Sequence, residues 1–153
     1  MLPIHTIAAP EIRITFSPNM KASQRPVVTC SADAVPLFRQ HWDENFYELR
    51  EEVRMILLNT RGRVLGIFTL SVGGPTRTVL DETMVFLLAV RTPGTRSIIL
   101  AHNHPGGDTK PSHQDIQTTI QIKAGAALLG LKLLDHYILT AESYLSMADE
   151  GLM

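Results

Sequence analysis

The chain has 153 residues, of which 44% are hydrophobic, 19% charged and 6% aromatic. This composition excludes an intrinsically disordered or collagen-like chain and fits one folded domain of ordinary size. The 14 basic and 15 acidic side chains give a formal net charge of -1, which argues against a strongly basic protein that coats DNA.

The first 30 residues are the least regular part of the chain and are predicted to form an N-terminal extension. Four prolines interrupt them, and Lys21–Pro26 is typical of a loop. Within the extension, Glu11–Phe16 alternates polar and apolar side chains, which predicts one short, half-buried strand. Residues 31–153 are predicted to form the main domain.

A helix is predicted directly after this extension. Ser31 or Asp33 can cap its first turn, and Pro36 is tolerated there. Trp42 shares an apolar face with Phe38 at helical spacing. We therefore expect Trp42 to pack in the core rather than to contact a ligand.

The middle of the chain is predicted to supply the centre of a sheet. Two apolar, β-rich runs, Val53–Leu58 and Val64–Val72, are separated by the turn signal Asn59–Gly62, so they are expected to form a central hairpin. Asp81–Arg91 is typical of a helix with an apolar face. Ser97–Ala101 is short and apolar, as a buried strand is.

Helix signals resume at Ser112 and continue to about Leu129, where Gly130 suits the C-terminal cap. Lys132–Thr140 and Ser143–Ala148 then predict two final strands. The predicted fold is a mixed α/β domain of the α+β kind, in which two or three helices flank a largely antiparallel sheet.

The predicted loop at His102–Pro111 and the start of the helix after it carry residue types that can bind a metal ion. His102 and His104 are two residues apart just beyond a predicted strand, so their imidazoles point to the same side and can hold one metal ion. Asp115 follows in the first turn of the next predicted helix, which can fold its carboxylate back over the loop. Two imidazole nitrogens and one carboxylate oxygen leave a fourth tetrahedral position open, which is the pattern of catalytic zinc.

Each part of this pattern also has an ordinary explanation. Ser112 and Asp115 are spaced as a capping box, and the helix dipole favours Asp115 there. Two histidines at this spacing are by themselves a weak indication of a metal, and Gly106–Gly107 suits a plain turn. Together these parts form one pattern, in which H-x-H-P is followed after six residues by Ser and after two more by Asp. The pattern specifies five residue identities at fixed spacing, a combination expected by chance in fewer than roughly one chain in ten thousand.

The segment resembles the JAMM motif of JAB/MPN-domain metalloproteases, and more closely that of the RadC-like branch, where H-N-H-P-x-G-x-x-x-P-S-x-x-D is typical. The similarity continues through Glu51–Asn59 and Leu134–Leu139 and covers about residues 47–153. The N-terminal part of the chain most resembles short, stand-alone RadC-like proteins. The resemblance implies a JAB/MPN-like (cytidine-deaminase-like) fold, in which helices flank a curved mixed β-sheet in a single domain.

Carried over residue by residue, the resemblance implies one zinc ion per chain with three ligands: His102, His104 and Asp115. Glu51 matches the general acid and base, and Ser112 matches the serine that stabilises the oxyanion. Glu52 is the adjacent alternative to Glu51, but strand alternation would turn it to the opposite face, whereas Glu51 shares a face with Val53.

Residues behind the ligands could orient the two imidazoles. Asp135, Asn103 or Asp108 are the candidates for that role. Asp135 and His136 are equally plausible as a structural pair at the start of a strand.

The implied function is zinc-dependent hydrolysis of a peptide or isopeptide bond in a peptide or protein substrate. Glu51 would take a proton from a zinc-activated water and pass it to the leaving amine. Asn103 stands where eukaryotic and archaeal peptidases usually carry Ser or Thr, which fits the RadC branch and argues against transferring deubiquitinase-like specificity.

A second hypothesis is a DNA-repair-associated role without hydrolysis, as a DNA- or protein-binding module, because RadC proteins commonly carry a DNA-repair label. A surface patch for nucleic acid could come from seven arginines: Arg50, Arg54, Arg61, Arg63, Arg77, Arg91 and Arg96. A salt-dependent gel shift would test such binding.

The single cysteine, Cys30, excludes an internal disulfide framework and a cysteine-rich zinc site, and it fits a reduced compartment. No apolar run approaches the ~18 residues of a membrane span, and the first residues lack the pattern of a signal peptide. We therefore expect a cytoplasmic protein without a membrane partner. The residues indicate no particular oligomeric state.

Overall fold

The computed structural model describes Thr15, residues 17–73 and residues 80–153. Of the strand predicted over Glu11–Phe16, only Thr15 lies within the described residues. The α-helices of the described residues are α1, α2 and α3, at Ser31–His41, Glu82–Arg91 and His113–Leu128, and a short 3-10 helix lies at Ala22–Gln24. The strands are β1 to β5, at Glu52–Leu58, Val64–Val72, Ser97–Asn103, Lys132–Leu139 and Tyr144–Ser146. Each of these elements lies where the sequence pattern predicts one.

The five strands form one sheet in the order β2-β1-β3-β4-β5. Strands β3 and β4 are parallel, and the other three neighbouring pairs are antiparallel. Helix α3 makes the crossover between the two parallel strands, as a parallel connection requires. The prediction of a mixed α/β domain with a largely antiparallel sheet is therefore confirmed.

The hairpin prediction is correct for the pairing of β1 with β2 and wrong for the position of β2. Strand β1 is an inner strand and almost wholly buried, whereas β2 forms one edge of the described sheet and is exposed at Phe68 and Val72. Both runs are apolar, and apolar content by itself does not separate a central strand from an edge strand.

The core lies on both faces of the sheet because the strands alternate their side chains between two helical layers. Helix α1 covers one face, where Phe38 and Trp42 pack with Ile56 and Leu58 of β1. Helices α2 and α3 cover the other face and pack on the odd-numbered residues of β1, such as Met55. Trp42 is only 5% exposed, so its predicted place in the core is confirmed.

Helix α1 begins differently from the prediction. Its N-cap residue is Cys30, and the carboxylate of Asp33 accepts hydrogen bonds from the backbone N–H groups of Thr29 and Cys30 at 2.7 and 3.1 Å. Asp33 thus caps the helix from inside its first turn, and Ser31 is the first helical residue. Pro36 is the sixth residue of the helix, beyond the first turn, on an exposed face.

The other helix ends lie within one residue of the predicted ones, and Asp81, predicted as the first residue of its helix, is instead the N-cap. Asp81 caps α2 by accepting the N–H of Thr83 at 2.8 Å, and Ser112 caps α3. Gly130, just past α3, has a φ of 70°, a conformation that favours glycine. Over the described ranges, none of the helices combines the length and the apolar character that crossing a membrane would need.

Candidate metal centre

Strand β3 places the two histidines at one end of the sheet. His102 is the penultimate residue of β3, pairs with Val53 on one side and Ile138 on the other, and is 4% exposed. His104 follows the strand, and its N–H donates to the carbonyl of Leu139 at 2.8 Å, so the extended conformation continues for one more residue. The two imidazoles therefore share a side, and their Nε2 atoms are 3.0 Å apart.

Helix α3 brings the carboxylate of Asp115 to the same place. Its Oδ1 lies 3.6 Å from Nε2 of His102, and its Oδ2 lies 3.9 Å from Nε2 of His104. The three ligand atoms all lie within 4.8 Å of one another, so the group could hold a metal ion. The sequence pattern predicts these same three residues as ligands, and the structure brings them together.

The predicted capping box is present and also orients the side chain of Asp115. The N–H of Ser112 donates to Oδ2 of Asp115 at 2.7 Å, and the N–H of Asp115 donates to Oγ of Ser112 at 3.1 Å. These bonds hold the Asp115 carboxylate at the start of the helix, facing the histidines. The hydroxyl of Ser112 accepts in this arrangement, so its hydrogen can be donated to a bound group.

His104 is oriented by the loop that follows it. Its Nδ1 lies 2.7 Å from the backbone carbonyl of Asp108, which can only accept, so Nδ1 carries the hydrogen. In the neutral imidazole, Nε2 is then the nitrogen with the lone pair, and it faces His102 and Asp115. Asp108 was predicted to orient an imidazole, and it does so through its carbonyl, while its carboxylate accepts the N–H of Lys110.

His102 is backed by two residues that the sequence did not indicate for this role. Its Nδ1 lies 2.8 Å from Nε2 of His136 on β4, and Nδ1 of His136 lies 2.6 Å from the hydroxyl of Thr119 on α3. Thr119 is fully buried, and His136 is 3% exposed. No sequence spacing links these residues, because the contacts depend on the pairing of β4 with β3 and the docking of α3.

Asp135 was predicted to orient an imidazole, but its carboxylate instead stabilises the end of the chain around β5. Its carboxylate accepts hydrogen bonds from the hydroxyl of Ser146 at 2.6 Å and from the backbone N–H groups of His136 and Ala148 at 2.7 and 3.0 Å. These bonds tie β4 to β5 and the segment after it. The predicted structural alternative therefore describes Asp135, while the imidazole of His136 contacts His102.

Burial keeps the inner histidines neutral. Removal from water lowers the pKa of His102 to about 4, with Asp115 opposing the shift and His104 adding to it. Removal from water also lowers the pKa of His136 well below its ordinary value, and His102 and His104 add to that shift. Neutral imidazole is the form that binds a metal, so His102 has the charge state that metal binding requires at neutral pH.

These shifts predict that the metal-free protein loses stability as the pH falls from 7 to 5. The unfolded chain binds protons at His102 and His136 near the ordinary pKa of 6.5, whereas the folded chain resists them. The free energy of unfolding should fall by about 2 kcal/mol for each imidazole kept neutral. Urea denaturation at both pH values, with a chelator present, measures this change.

The matched variants for this measurement are His136→Gln and His113→Gln, of which the second removes an exposed histidine. His136→Gln should reduce the pH dependence by about half, and His113→Gln should leave it unchanged. A pH dependence that is the same in all three proteins would contradict the assignment to the buried histidines.

The strand register distinguishes Glu51 from Glu52. Val53 pairs with His102, and paired residues share a face, so Glu51, two residues earlier, falls on the face of the metal centre. The carbonyl of Glu51 accepts the N–H of Gly73 at 2.8 Å, which extends the pairing of β1 by one residue. Glu51 is partly buried at this end of the sheet.

Glu52 lies on the opposite face and is fully engaged there. It is 2% exposed, and its two carboxylate oxygens pair with Arg50 and Arg54, each at 2.8 Å. The guanidinium of Arg54 in turn lies over the ring of Trp42, in the core beneath α1. Of the two glutamates, Glu51 is therefore the one on the face of the three converging residues.

Asn103, between the two histidines, holds the start of β1 in place. It is fully buried on the α1 side of the sheet, and its Oδ1 accepts the N–H of Glu52 at 2.7 Å. Its Nδ2 donates to the carbonyls of Tyr47 and Arg50 at 2.6 and 2.9 Å. Asn103 was predicted to orient an imidazole. In the structure its side chain instead holds the backbone on either side of Glu51.

The arginines considered for a nucleic-acid patch are partly committed to other contacts. Arg50 and Arg54 pair with Glu52, as described above, and Arg63 donates to two backbone carbonyls at 3.3 and 3.4 Å. Arg77 lies outside the described residues. The remaining three of the set are exposed: Arg61, Arg91 and Arg96.

Comparison with known proteins identifies relatives of the chain. A family model described as the RadC-like JAB domain matches residues 28–152. Similar curated proteins are UPF0758 proteins from Desulfitobacterium hafniense, 36% identical over 129 residues, and from Porphyromonas gingivalis, 43% identical over 105 residues. The matches cover 84% and 68% of this chain and 55% and 46% of the relatives. The chain thus spans about half the length of the curated relatives it matches.

Proposed function

The chain belongs to the RadC-like JAB domain family, and on that premise we propose that it is a zinc-dependent hydrolase of the JAMM type that cleaves a peptide or isopeptide bond. The observation that carries the proposal is the convergence of His102, His104 and Asp115 within 4.8 Å of one another. The side chains of His104 and Asp115 are 18% and 23% exposed, so the centre opens to solvent and to a substrate.

The donor set fits a catalytic zinc ion. It offers two imidazole nitrogens and one carboxylate oxygen, which fill three positions of a tetrahedron and leave one open. Bound there, zinc would supply Lewis-acid activation of a water molecule and of the substrate carbonyl. The neutral state of His102 and the hydrogen on Nδ1 of His104 both support this ligand set.

The residues around the centre supply the remaining chemistry. Glu51, on the face of the metal centre, takes a proton from the attacking water and delivers it to the leaving amine. Ser112 donates its hydroxyl hydrogen to the oxygen that becomes negative during attack. Asn103 and the Glu52 ion pairs hold the backbone on either side of Glu51, so the base is positioned by groups that do not react.

The proposal also includes a substrate class, a compartment and a division of the chain. We propose a peptide or protein substrate in the cytoplasm, and we retain residues 1–30 as an extension before a domain at 31–153. A binding module without hydrolysis is the competing function. It loses support from the presence of all three ligand residues and from the arginines already paired with Glu52.

Elemental analysis of protein purified without a chelator or an affinity tag tests the proposal. We expect about one zinc per chain. The double variant His102→Ala, His104→Ala should lose the metal, because a single carboxylate remains. The control His113→Ala, which removes an exposed histidine from the first turn of α3, should keep it.

Two results would contradict the proposal. The first is a wild-type protein that takes up no zinc, even when zinc is added near neutral pH. The second is a zinc-loaded protein that cleaves no member of a panel of peptide and isopeptide substrates. A salt-dependent gel shift with DNA would then test the binding-module alternative.

A further inference from the structure

We propose that Thr119 and His136 form a relay of hydrogen bonds that decides which ring nitrogen of His102 is free to bind the metal. The relay deepens the proposed function, because it concerns the zinc site on which that function rests. It gives positioning roles to two buried residues, neither of which is a metal ligand.

The relay is a continuous chain of short contacts through the interior. The hydroxyl of Thr119 lies 2.6 Å from the backbone carbonyl of Asp115 and 2.6 Å from Nδ1 of His136. Nε2 of His136 lies 2.8 Å from Nδ1 of His102, and Nε2 of His102 lies 3.0 Å from Nε2 of His104. The chain therefore starts and ends at the metal centre.

Counting hydrogens gives one arrangement in which His102 can bind a metal. The carbonyl of Asp115 can only accept, so the hydroxyl of Thr119 donates to it and accepts from Nδ1–H of His136. Nε2 of His136 then carries a lone pair and accepts from Nδ1–H of His102. Nε2 of His102 is left with a lone pair, which faces His104 and Asp115.

A second arrangement satisfies the contacts among the three histidines without a metal. The hydroxyl of Thr119 turns away from the carbonyl of Asp115, giving up that bond, and donates to Nδ1 of His136. Nε2–H of His136 then donates to Nδ1 of His102. Nε2–H of His102 then donates to Nε2 of His104 across the 3.0 Å contact. Each histidine carries one ring hydrogen in both arrangements, so the two differ in tautomer and not in charge.

Thr119 is the element that makes both arrangements available. The hydroxyl can accept from Nδ1–H of His136 while it donates to the carbonyl of Asp115, or it can donate to Nδ1 itself, whereas a carbonyl or an N–H in its place would allow only one tautomer of His136. The other polar atom near the hydroxyl is Sδ of Met147 at 3.7 Å, which is a weak acceptor. The relay thus gives His102 a neutral partner in the metal-free and in the metal-bound protein.

Nitrogen NMR of the full chain tests the relay directly. Long-range proton–nitrogen correlation spectra of ¹⁵N-labelled protein report the tautomer of each histidine. We expect His102 and His136 to carry Nε2–H in the metal-free protein and Nδ1–H after one equivalent of zinc is added. His104 should keep Nδ1–H in both, because the Asp108 carbonyl fixes it.

Thr119→Val tests the role of the hydroxyl with little change in volume. In this variant the zinc-bound arrangement leaves Nδ1–H of His136 buried without an acceptor, which costs more than leaving a lone pair without a donor. We expect zinc affinity, measured by competition with a chelator, to fall about tenfold. Thr119→Ser should restore it, and Thr118→Val, one residue earlier on α3, should leave it unchanged.

The outcomes separate the relay from the proposed function. Zinc binding in the wild type, with equal affinity in Thr119→Val and no change of tautomer at His102, would overturn the relay and leave the hydrolase proposal standing. A relay that switches on zinc binding, in a protein that cleaves no amide, would overturn the hydrolase proposal alone. A merely structural role for Thr119 would lower the Tm of the metal-free variant without changing zinc affinity or tautomers.

Discussion

Replacing Glu51 with Gln is expected to lower kcat for amide hydrolysis by about 100- to 10,000-fold while zinc stays bound, since that is the usual contribution of a positioned general base. Gln has nearly the same shape but cannot take a proton from water. Glu51 lies on the face of His102 and is not one of the converging metal ligands, so metal content should not change. Activity and elemental analysis on the same preparation measure both quantities.

Glu52→Gln is the matched control for this substitution. It changes the adjacent residue in the same way, but Glu52 lies on the opposite face and pairs with Arg50 and Arg54. We expect it to lower the free energy of unfolding by about 2 to 4 kcal/mol, because two cations lose their partner. A folded, zinc-loaded Glu52→Gln protein should keep its activity. Full activity in Glu51→Gln, or loss of activity only in Glu52→Gln, would contradict the assignment of Glu51 as the general base.

Asn103→Ala is expected to destabilise the protein by about 3 kcal/mol and to reduce hydrolysis about tenfold or more, with zinc retained. The truncation leaves three buried backbone groups without their partner: the N–H of Glu52 and the carbonyls of Tyr47 and Arg50. These groups hold the chain on either side of Glu51. Loss of the bonds should therefore misplace the base without touching the metal ligands.

Urea denaturation, zinc analysis and kinetics on Asn103→Ala test this expectation together. Asn45→Ala is the control, since Asn45 is exposed and its side chain bonds only locally to Asp43. Kinetics are compared at a temperature where both variants are folded. An Asn103→Ala protein that loses zinc and activity in parallel would show that Asn103 supports the ligands rather than Glu51.

The elements of the fold were predictable because local patterns specify them. Such patterns include the apolar runs of β1 and β3, the capping residue Ser112, and Gly130 after α3. Each acts over a few residues. Their effects do not depend on where the rest of the chain goes. The edge position of β2 and the start of α1 at Ser31 were not predicted, because apolar content does not give strand order and a cap can act from inside the first turn.

The candidate metal site was predictable for a similar reason. His102 and His104 are two residues apart on extended backbone, and Asp115 is the third residue of α3, so local geometry alone turns these side chains toward one region. The choice between Glu51 and Glu52 needed only the parity of β1 and its register against β3. The sequence gives that parity, and the structure supplies the register.

The sequence by itself determined the helices, the strands and the three residues that converge at the end of β3, because each depends on spacing within a short segment. Only the tertiary structure decided what stands behind them. His136 reaches His102 from a parallel strand 34 residues later, Thr119 reaches His136 from a docked helix, and Asn103 reaches back across 51 residues to Glu52. Such contacts are set by strand register and helix docking, which arise from packing of the whole core and leave no periodic signal in the chain.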